Sequence, residues 1–366
     1  MQRFDALVVG AGPAGSTAAY RLATEGASVL LVDKARFPRD KPCGGGLTTR
    51  AVRQLPFSVE PVVEDVVHTF ELRLGYKRSF ERTSNEPLCL MTQRRRLDAF
   101  LAEQAAEAGA EFRDGARVEL GDAIRVDGER LDADIVIGAD GVNGITSRTA
   151  GTDFGHGVAL EGNAPLDARY RGKIVLELGV VPGGYGWVFP KGNHVNFGVG
   201  GWESEGPRLR KHLRRLCDEH DADYTQLQQL RGYRLPFRRA ASTLASNRLL
   251  LVGDAAGLID PLSGDGMYEA FVSSRLAAEA VLSGELDAYG PRVLAEFGPL
   301  HAASWTAKYA LDRFPRLTFA IARAPLAWSV ISRLVRGELK DPSSARGLSR
   351  APLKALDRLG RIAQPA

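Results

Sequence analysis

Three glycines near the start of the chain have the spacing of a loop that binds phosphate groups. Gly10, Gly12 and Gly15 follow a short apolar run at residues 6–9, and residues 16–24 have the composition of a helix. At this spacing the first glycine allows a tight turn, the second lets the backbone approach a pyrophosphate, and the third lets helix and strand pack closely. The N-terminus of the helix presents free N–H groups to the phosphates. The pattern predicts a Rossmann-type dinucleotide site.

An acidic residue stands where such a site needs one. Asp33 ends the apolar run at residues 28–32, and a carboxylate about twenty residues after the glycines binds a ribose hydroxyl in this motif. Lys34 follows it, and Pro13 and Ala14 lie in the glycine loop, so all three are candidate cofactor-binding residues. The first strand, the glycines, the helix, the second strand and the acid follow one another in the expected order. This order supports a dinucleotide site more strongly than the glycine motif would alone.

Four further features are typical of a flavin site when they occur together. Arg94 begins a predicted helix, from which a guanidinium can bind a cofactor phosphate. Asp140 lies between glycines at the end of one predicted strand, and Asp254 directly follows another, where a carboxylate can bind a ribityl or ribose hydroxyl. Gly266 and Met267 open a helix whose positive end favours an anionic reduced flavin. Taken singly, each feature also fits a surface arginine or an ordinary turn.

Aromatic side chains alternate along a predicted strand in the middle of the chain. Tyr185, Trp187 and Phe189 project to one face, because side chains on a strand alternate with a period of two. Such a stripe forms either a core or the apolar wall of a binding site. A similar stripe is predicted on a neighbouring strand: Val195, Phe197 and Val199.

Cys43 lies in a glycine-rich loop at residues 37–47, close to Lys41. Burial as a small apolar side chain is the commonest fate of a single cysteine. In a loop of glycines beside a lysine, however, a thiol can be partly exposed and tuned. We therefore hypothesise that Cys43 lies beside the isoalloxazine and influences protonation or substrate placement.

The order of predicted elements indicates an α/β fold with a discontinuous organisation. Buried parallel-type strands at both ends of the first 300 residues flank a strand-rich middle, and the tail is helical with breaks at Pro315 and Pro325. We predict a doubly wound Rossmann-type FAD-binding domain, an inserted antiparallel β-sheet substrate domain and a C-terminal helical region. Their ranges are 1–60, 88–154 and 241–300 for the first, 61–87 and 155–240 for the second, and 301–366 for the third.

Composition excludes several classes of protein. The three cysteines form no CxxC pair, and the six histidines show no metal-ligand or nucleophile–base spacing, so we predict no metal. The predicted first strand begins near residue 4, which leaves no room for a signal peptide. No apolar run reaches the roughly eighteen residues of a membrane span. The region from residue 301 carries twelve basic and four acidic residues, but no recognition motif accompanies them, so we predict no nucleic-acid partner.

Two longer motifs resemble one family of flavoproteins. Together with the features above, they resemble the para-hydroxybenzoate hydroxylase-like class of FAD enzymes and, within it, the geranylgeranyl reductase family. Residues 38–45, Pro-Arg-Asp-Lys-Pro-Cys-Gly-Gly, are similar to that family's loop beside the flavin. Residues 182–190 match its P-x-x-Y-x-W-x-F-P signature without a departure. The resemblance covers roughly residues 4–290.

The resemblance implies an enzyme that saturates C=C bonds of an isoprenoid chain with reduced FAD. It implies catalytic or substrate roles for Cys43, Tyr185, Trp187 and Phe189, and a cytoplasmic location that includes the inner face of the cytoplasmic membrane. The residues that it places against FAD are Ala14, Asp33, Cys43, Gly44, Gly46, Arg94, Val118, Asp254, Gly266 and Met267.

The chemistry of such a reduction agrees with the residues. An isolated trisubstituted alkene is unpolarised, so hydride transfer must be joined by protonation in a site with apolar walls and little water. No second GxGxxG follows a predicted strand, so electrons come from transiently docked NAD(P)H or from a reduced ferredoxin-like protein.

Three alternatives remain open at the level of sequence. Flavin monooxygenases and halogenases share the fold, and halogenases carry the related signature W-x-W-x-I-P. Here Tyr185 replaces its first Trp and Phe189 its Ile, and the catalytic lysine of halogenases has no clear counterpart. A redox-neutral isoprenoid isomerase or cyclase is the second alternative, and a flavin carrier protein is the third.

The basic tail favours two interpretations. Residues 316–336 mix arginines with apolar side chains, and a basic amphipathic helix can bind an anionic lipid surface. The same pattern also fits a pair of helices that cap the substrate domain.

Overall fold

The computed structural model describes residues 2–364. The strands are β1 (Arg3–Val9), β2 (Val29–Asp33), β3 (Gly46–Thr48), β4 (Val63–Val67), β5 (Thr69–Leu74), β6 (Arg78–Thr83), β7 (Cys89–Thr92), β8 (Glu111–Asp114), β9 (Val118–Leu120), β10 (Ile124–Val126), β11 (Glu129–Gly138), β12 (Phe154–Pro165), β13 (Lys173–Leu178), β14 (Tyr185–Pro190), β15 (His194–Trp202), β16 (Gln228–Arg238), β17 (Ala245–Ser246) and β18 (Leu249–Leu251). The helices are α1 (Pro13–Thr24), α2 (Thr49–Val52), α3 (Arg94–Glu107), α4 (Ile145–Thr149), α5 (Leu209–Glu219), α6 (Met267–Ser283), α7 (Leu286–Arg313), α8 (Pro315–Arg323), α9 (Pro325–Val335) and α10 (Arg350–Ala363).

The first sheet is built on parallel strands and carries the glycine loop. Its order is β17-β18-β11-β1-β2-β8, and β1 pairs in parallel with both β2 and β11. Every residue of β2 is buried, as expected of a covered parallel sheet. Helix α1 packs against α3 and α6. It begins at Pro13 rather than at residue 16, because proline's fixed φ and missing N–H suit the first helical turn. The predicted α/β fold class with a Rossmann-type sheet is confirmed.

The second sheet is mostly antiparallel and has the order β16-β12-β15-β14-β13-β5-β6. It departs from the predicted antiparallel pattern where β13 meets β5, because Ile174 pairs with Phe70 in a parallel register. The hairpin of β5 and β6 thereby extends the sheet, although about seventy residues separate it from β12 in sequence. The hairpin lies within residues 61–87, which we predicted to belong to the domain of this sheet, but its parallel register has no local signal.

Helix α5 covers one face of the second sheet. Leu209, Leu213 and Leu216 are buried against the sheet, at a spacing that places them on one stripe of the helix. The residues that they meet include Val188, Val195, Phe197 and Val199. The opposite face of the sheet is therefore free to line a cavity.

A third, three-stranded sheet was not predicted. Its order is β3-β7-β4, and all its pairings are antiparallel. Strand β3 follows the glycine-rich loop of Cys43 directly, so this sheet holds the end of that loop in place.

The C-terminal helices form a layer around α7. Helix α8 begins at Pro315 and α9 at Pro325, which confirms the predicted breaks, since proline is favoured in the first turn of a helix. Helix α7 nevertheless contains Pro291 and Pro299 in its interior. Helix α7 runs without interruption through the boundary predicted at residues 300 and 301. Helix α10 approaches α7 closely, because a Cβ on Gly360 would lie 2.2 Å from the carbonyl oxygen of Thr306. Within residues 2–364, none of the helices is long and apolar enough to cross a membrane.

Candidate active site

A single large cavity joins the glycine loop, the second sheet and the tail helices. Its volume is about 1620 Å³. Among the predicted site residues, Gly15 does not line it, because Gly15 lies beneath the loop. The predicted residues in its wall are Gly10, Gly12, Pro13, Ala14, Asp33, Lys34, Cys43, Gly44, Gly46, Arg94, Val118, Asp140, Tyr185, Trp187, Phe189, Asp254, Gly266 and Met267.

The glycine loop is packed so tightly that larger side chains do not fit. Gly10 has a φ of +103°, and a Cβ there would lie 2.5 Å from the carbonyl oxygen of Ala139. A Cβ on Gly15 would lie 1.8 Å from the carbonyl oxygen of Gly10. A Cβ on Gly12 would meet only the guanidinium ends of Arg39 and Arg94. The backbone at Gly12 is therefore open toward the cavity. The loop thus has the form of a cradle for a pyrophosphate.

Two arginines face this cradle and share one buried carboxylate. Arg94 Nε and Nη2 donate to the two oxygens of Asp98 at 2.6 and 2.8 Å, and Arg39 Nη1 lies 2.9 Å from Asp98 Oδ2. Burial acts to lower the pKa of Arg94, but the charge and the hydrogen bonds of Asp98 together have the larger effect and raise that pKa. The guanidinium of Arg94 therefore stays charged beside Gly12. Asp98 follows Arg94 by four residues on the same helix, a spacing that favours an ion pair. Its contact with Arg39 has no such local signal.

Asp33 is fixed at the end of β2. Its Oδ2 accepts a hydrogen bond from the backbone N–H of Ala11 at 2.9 Å, and its Oδ1 accepts one from Ala35 at 2.9 Å. Lys34 and Val118 line the cavity on this side. The carboxylate is thus held beside the cradle, as a ribose-binding acid requires.

Asp254 belongs to a second charged cluster. Its Oδ2 accepts hydrogen bonds from Lys41 Nζ and Tyr233 Oη, each at 2.8 Å. Burial acts to raise the pKa of Asp254, but the ammonium of Lys41 and the two hydrogen bonds hold it below its ordinary value. Lys41 also lies 4.5 Å from the centre of the Tyr233 ring. Sequence reasoning missed Tyr233, which comes from β16 and has no motif.

Asp140 lines the cavity, but its carboxylate is engaged by α4. Its Oδ2 accepts hydrogen bonds from the backbone N–H groups of Ile145 at 2.6 Å and Thr146 at 3.1 Å, and its Oδ1 accepts one from the Thr146 hydroxyl. Burial raises the pKa of Asp140, and these hydrogen bonds oppose that effect. The side chain therefore stabilises the turn under the glycine loop.

The loop of Cys43 is held by its backbone. The N–H of Cys43 donates to Glu161 Oε1 at 2.8 Å, and its carbonyl accepts from Lys191 Nζ at 2.8 Å. The next residue, Gly44, lies against Phe189, because a Cβ there would be 2.7 Å from that ring. The thiol is half-buried in the cavity wall. The loop thus joins the glycine cradle to the aromatic strand.

The aromatic stripe of β14 faces the cavity. Ring centres are 6.1 Å apart for Tyr185 and Trp187 and 6.3 Å apart for Trp187 and Phe189. Trp187 Nε1 donates to Asn196 Oδ1 at 2.8 Å, and the Tyr185 hydroxyl donates to the carbonyl of Ser263. The other predicted stripe lies on the opposite face, because β14 pairs Trp187 with Gly198 and Phe189 with Asn196. Its members, Val195, Phe197 and Val199, pack on α5 and do not line the cavity.

The N-terminus of α6 opens onto the cavity beside Gly266 and Met267. The backbone N–H of Met267 donates to Asp265 Oδ1 at 2.9 Å, so one of the free donors expected there is already bound. Burial and the neighbouring Glu269 raise the pKa of Asp265 to about 7. A partly protonated Asp265 weakens the positive end of the helix less than a fully ionised one would.

The far part of the cavity is mostly apolar, although Arg350, Lys354 and Asp357 of α10 also line it. Helices α8, α9 and α10 present apolar side chains to it, while most of their arginines are exposed. This arrangement agrees with the interpretation in which the tail caps the site. The lining residues from these helices include Ile321, Ala322, Val330, Ile331, Leu334 and Leu353.

The residues present fit FAD. The glycine cradle, the two arginines, the carboxylate of Asp33 and the charged pair at Asp254 lie along one wall of the cavity. An elongated dinucleotide with a central pyrophosphate needs these groups in that arrangement.

Comparison with known proteins gives the same result. Residues 3–168 match the family model described as FAD binding domain. A menaquinone reductase from Mycolicibacterium smegmatis is 32% identical, over 95% of this chain and 95% of that protein. Digeranylgeranylglycerophospholipid reductase 2 from Methanopyrus kandleri is 31% identical, over 95% of this chain and 97% of that protein.

A solved structure extends the similarity to the whole fold. The geranylgeranyl bacteriochlorophyll reductase-like protein from Thermoplasma acidophilum is 26% identical, with a TM-score of 0.80 over 98% of this chain and 100% of that one. With the relatives above, it shows that the chain belongs to the geranylgeranyl reductase family of FAD-dependent oxidoreductases.

Proposed function

We propose that this protein reduces C=C bonds in the isoprenoid chain of a lipid with electrons from bound FAD. The observation that carries the proposal is the continuity of the cavity, which runs from the glycine cradle past the aromatic strand into an apolar chamber walled by the tail helices. Relatives named as reductases of menaquinone and of digeranylgeranylglycerophospholipid support a prenyl lipid as the substrate class.

The contacts of the cofactor follow from its fit to the cavity wall. We assign FAD binding to the glycine cradle with Pro13 and Ala14, to Asp33, Lys34 and Val118 at one end, and to Arg94 at the pyrophosphate. Asp140 supports the loop through α4, and Asp254, Cys43, Gly44, Gly46, Gly266 and Met267 complete the set.

The chemistry divides between the cofactor and the chain. Reduced FAD supplies a hydride from N5. The chain binds and orients the alkene, excludes water and provides the proton. We assign substrate contact to Tyr185, Trp187 and Phe189, whose rings form a continuous apolar surface above the loop of Cys43. Tyr185, Trp187 and Cys43 are our candidates for residues that touch the reacting atoms.

Electrons and lipid both come from outside the chain. The donor is NAD(P)H, docked transiently, or a reduced ferredoxin-like protein. The exposed arginines of the tail suit a peripheral contact with anionic lipid, so we place the protein in the cytoplasm, at times on the inner face of the cytoplasmic membrane. A nucleic-acid partner is not part of the proposal.

One experiment separates this function from its alternatives. The bound flavin is photoreduced without oxygen, a geranylgeranyl phospholipid or a menaquinone is added, and flavin absorbance and product mass are followed. Reoxidation with a gain of two hydrogens in the isoprenoid chain, measured after any quinol has been reoxidised in air, supports the reductase, because reduction of a quinone ring also adds two hydrogens. Conversion without a mass change indicates an isomerase or cyclase, and conversion only with oxygen indicates a monooxygenase or halogenase. Flavin that stays reduced with both lipids contradicts the proposal.

A further inference from the structure

Glu269 is a buried acid in the wall of the cavity that no motif identified. It lies in the first turn of α6, two residues after Met267, and is 1% exposed. Its Oε2 is buried and has no hydrogen-bond partner within residues 2–364. An unpaired carboxylate oxygen in such a position is costly unless it carries a proton or meets a ligand. Because Glu269 also belongs to the residues that line the cavity, a group bound there is one partner that this oxygen can meet.

His301 connects Glu269 to the outside of the protein. Its Nε2 lies 3.3 Å from Glu269 Oε1, across the gap between α7 and α6. The imidazole stacks on Phe297 with ring centres 5.6 Å apart, which fixes its orientation. The His301 side chain is 15% exposed, whereas that of Glu269 is 2% exposed. The pair therefore spans the distance from solvent to the cavity.

Burial and the neighbouring Asp260 favour the protonated form of Glu269. Burial is the largest influence and raises the pKa of Glu269; His301 opposes it, and Asp260 adds to it. Glu269 in turn raises the pKa of the neighbouring Asp265, and Arg50 on α2 acts to lower it. Asp260 itself is held by the Ser304 hydroxyl at 2.5 Å. A carboxyl group whose pKa is raised keeps its proton to higher pH, which suits a general acid.

We propose that Glu269 is the acid that protonates the isoprenoid double bond and that His301 returns a proton to it from solvent. The inference rests on the proposed function. In the balanced step the alkene gains a hydride from reduced FAD at one carbon and the Glu269 proton at the other. Two C–H bonds form, while the π bond, the Glu269 O–H bond and the flavin N–H bond that delivers the hydride break. FAD is left oxidised, and water reprotonates Glu269 through His301. Glu269 is thus a catalytic residue and His301 a positioning residue that supplies it.

The test compares photoreduced wild-type enzyme with Glu269→Gln and with Glu279→Gln, the same change at an exposed position of α6. Stopped-flow absorbance follows flavin reoxidation by the geranylgeranyl phospholipid. We expect E269Q to be slowed about a hundredfold or more, in the range of a general acid, with unchanged FAD content and unchanged reoxidation by oxygen. E279Q should match the wild type. E269Q reacting as fast as E279Q would overturn the assignment.

A second readout does not depend on the lipid. Infrared difference spectra of the FAD-loaded enzyme at neutral pH should show absorption by protonated carboxyl groups, part of which belongs to Asp265. We expect E269Q to remove the remaining component and E279Q to keep it; a spectrum that is unchanged in E269Q contradicts the proposal. His301→Gln retains a hydrogen-bonding group, so we expect it to fold, to slow reoxidation about tenfold and to change its dependence on pH. If H301Q had the rate and the pH profile of the wild type, His301 would not return the proton to Glu269.

If the wild-type enzyme itself fails to react with lipid, the proposed function fails instead, and the infrared result still reports on Glu269.

Discussion

The indole of Trp187 occupies the space that a side chain at position 198 would need. A Cβ added to Gly198 would lie 2.0 Å from Cζ2 and 2.1 Å from Cε2 of Trp187. The two residues are opposite each other on neighbouring strands, so the ring lies across β15 instead of standing away from it. The hydrogen bond from Nε1 to Asn196 holds it there. The glycine in β15 is therefore part of the aromatic wall.

Gly198→Ala tests this arrangement. Because the methyl group would displace the indole, we expect lipid-driven reoxidation of the reduced flavin to fall about tenfold or more, with FAD still bound. The matched control is Gly200→Ala, whose added Cβ would lie 3.3 Å from the carbonyl oxygen of Val158 and 3.6 Å from Trp187 Cζ3, a much smaller conflict than at Gly198. Stopped-flow absorbance measures both. Equal loss in the two variants would show that the position of the indole does not matter.

Cys43→Ser tests the thiol in the loop beside the aromatic strand. The loop is held by the backbone N–H and carbonyl of Cys43, which serine keeps, so we expect unchanged FAD content. A more polar and less polarisable group in the wall should lower turnover about tenfold and change the pattern of reduced products. Mass spectrometry of the lipid products measures the change. Unchanged turnover together with an unchanged product pattern would remove Cys43 from the mechanism.

Asp98→Asn tests how the two arginines are held at the cradle. Removing the carboxylate leaves Arg94 buried without its partner, which should lower the free energy of unfolding by about 3 kcal/mol when FAD is absent. A bound pyrophosphate would supply negative charge in its place, so FAD should raise the melting temperature of D98N more than that of the wild type. Glu103→Gln, an exposed position on α3, is the control. Equal shifts with FAD in all three proteins would contradict this role.

Lys308 provides a prediction about pH. Its ammonium donates to the carbonyl of Gly183 and lies 4.6 Å from the centre of a Trp202 ring. Burial lowers the pKa of Lys308 to about 8, although Asp312 and Asp260 oppose this. Between about pH 8 and the ordinary lysine value near 10.4, the native state therefore binds fewer protons than the unfolded chain. Stability from this group rises with pH in that window.

Lys308→Met isolates the effect, since methionine is similar in length but does not titrate. We expect the free energy of unfolding of the wild type to gain about 1–3 kcal/mol relative to K308M between about pH 7.5 and 10. Urea unfolding at several pH values measures the difference. Two curves that stay parallel across this range would mean that Lys308 keeps its ordinary proton affinity in the folded protein.

How much of the site could be predicted depends on how local its signals are. The glycine loop and the aromatic strand were found because each needs only a few consecutive residues, Gly10 to Gly15 and Tyr185 to Phe189. The face taken by Val195 to Val199 was not predictable, since it follows from the register with β14. The pairs of Asp98 with Arg39 and of Glu269 with His301 likewise depend on tertiary contacts that leave no spacing in the sequence.

The final prediction concerns the exposed side of α8. Arg316, Leu317 and Arg323 are exposed there, and Leu317 is 53% exposed, a combination that suits an anionic lipid surface. Each basic residue near such a surface contributes about 1 kcal/mol, so reversing two charges should weaken binding to anionic vesicles tenfold or more. We expect this for the double variant R316E/R323E, with binding by the wild type also falling as salt is added. The double variant R210E/K211E on α5 makes the same change of charge at exposed positions elsewhere. Vesicle flotation measures all three proteins, and equal flotation would mean that α8 makes no contact with lipid.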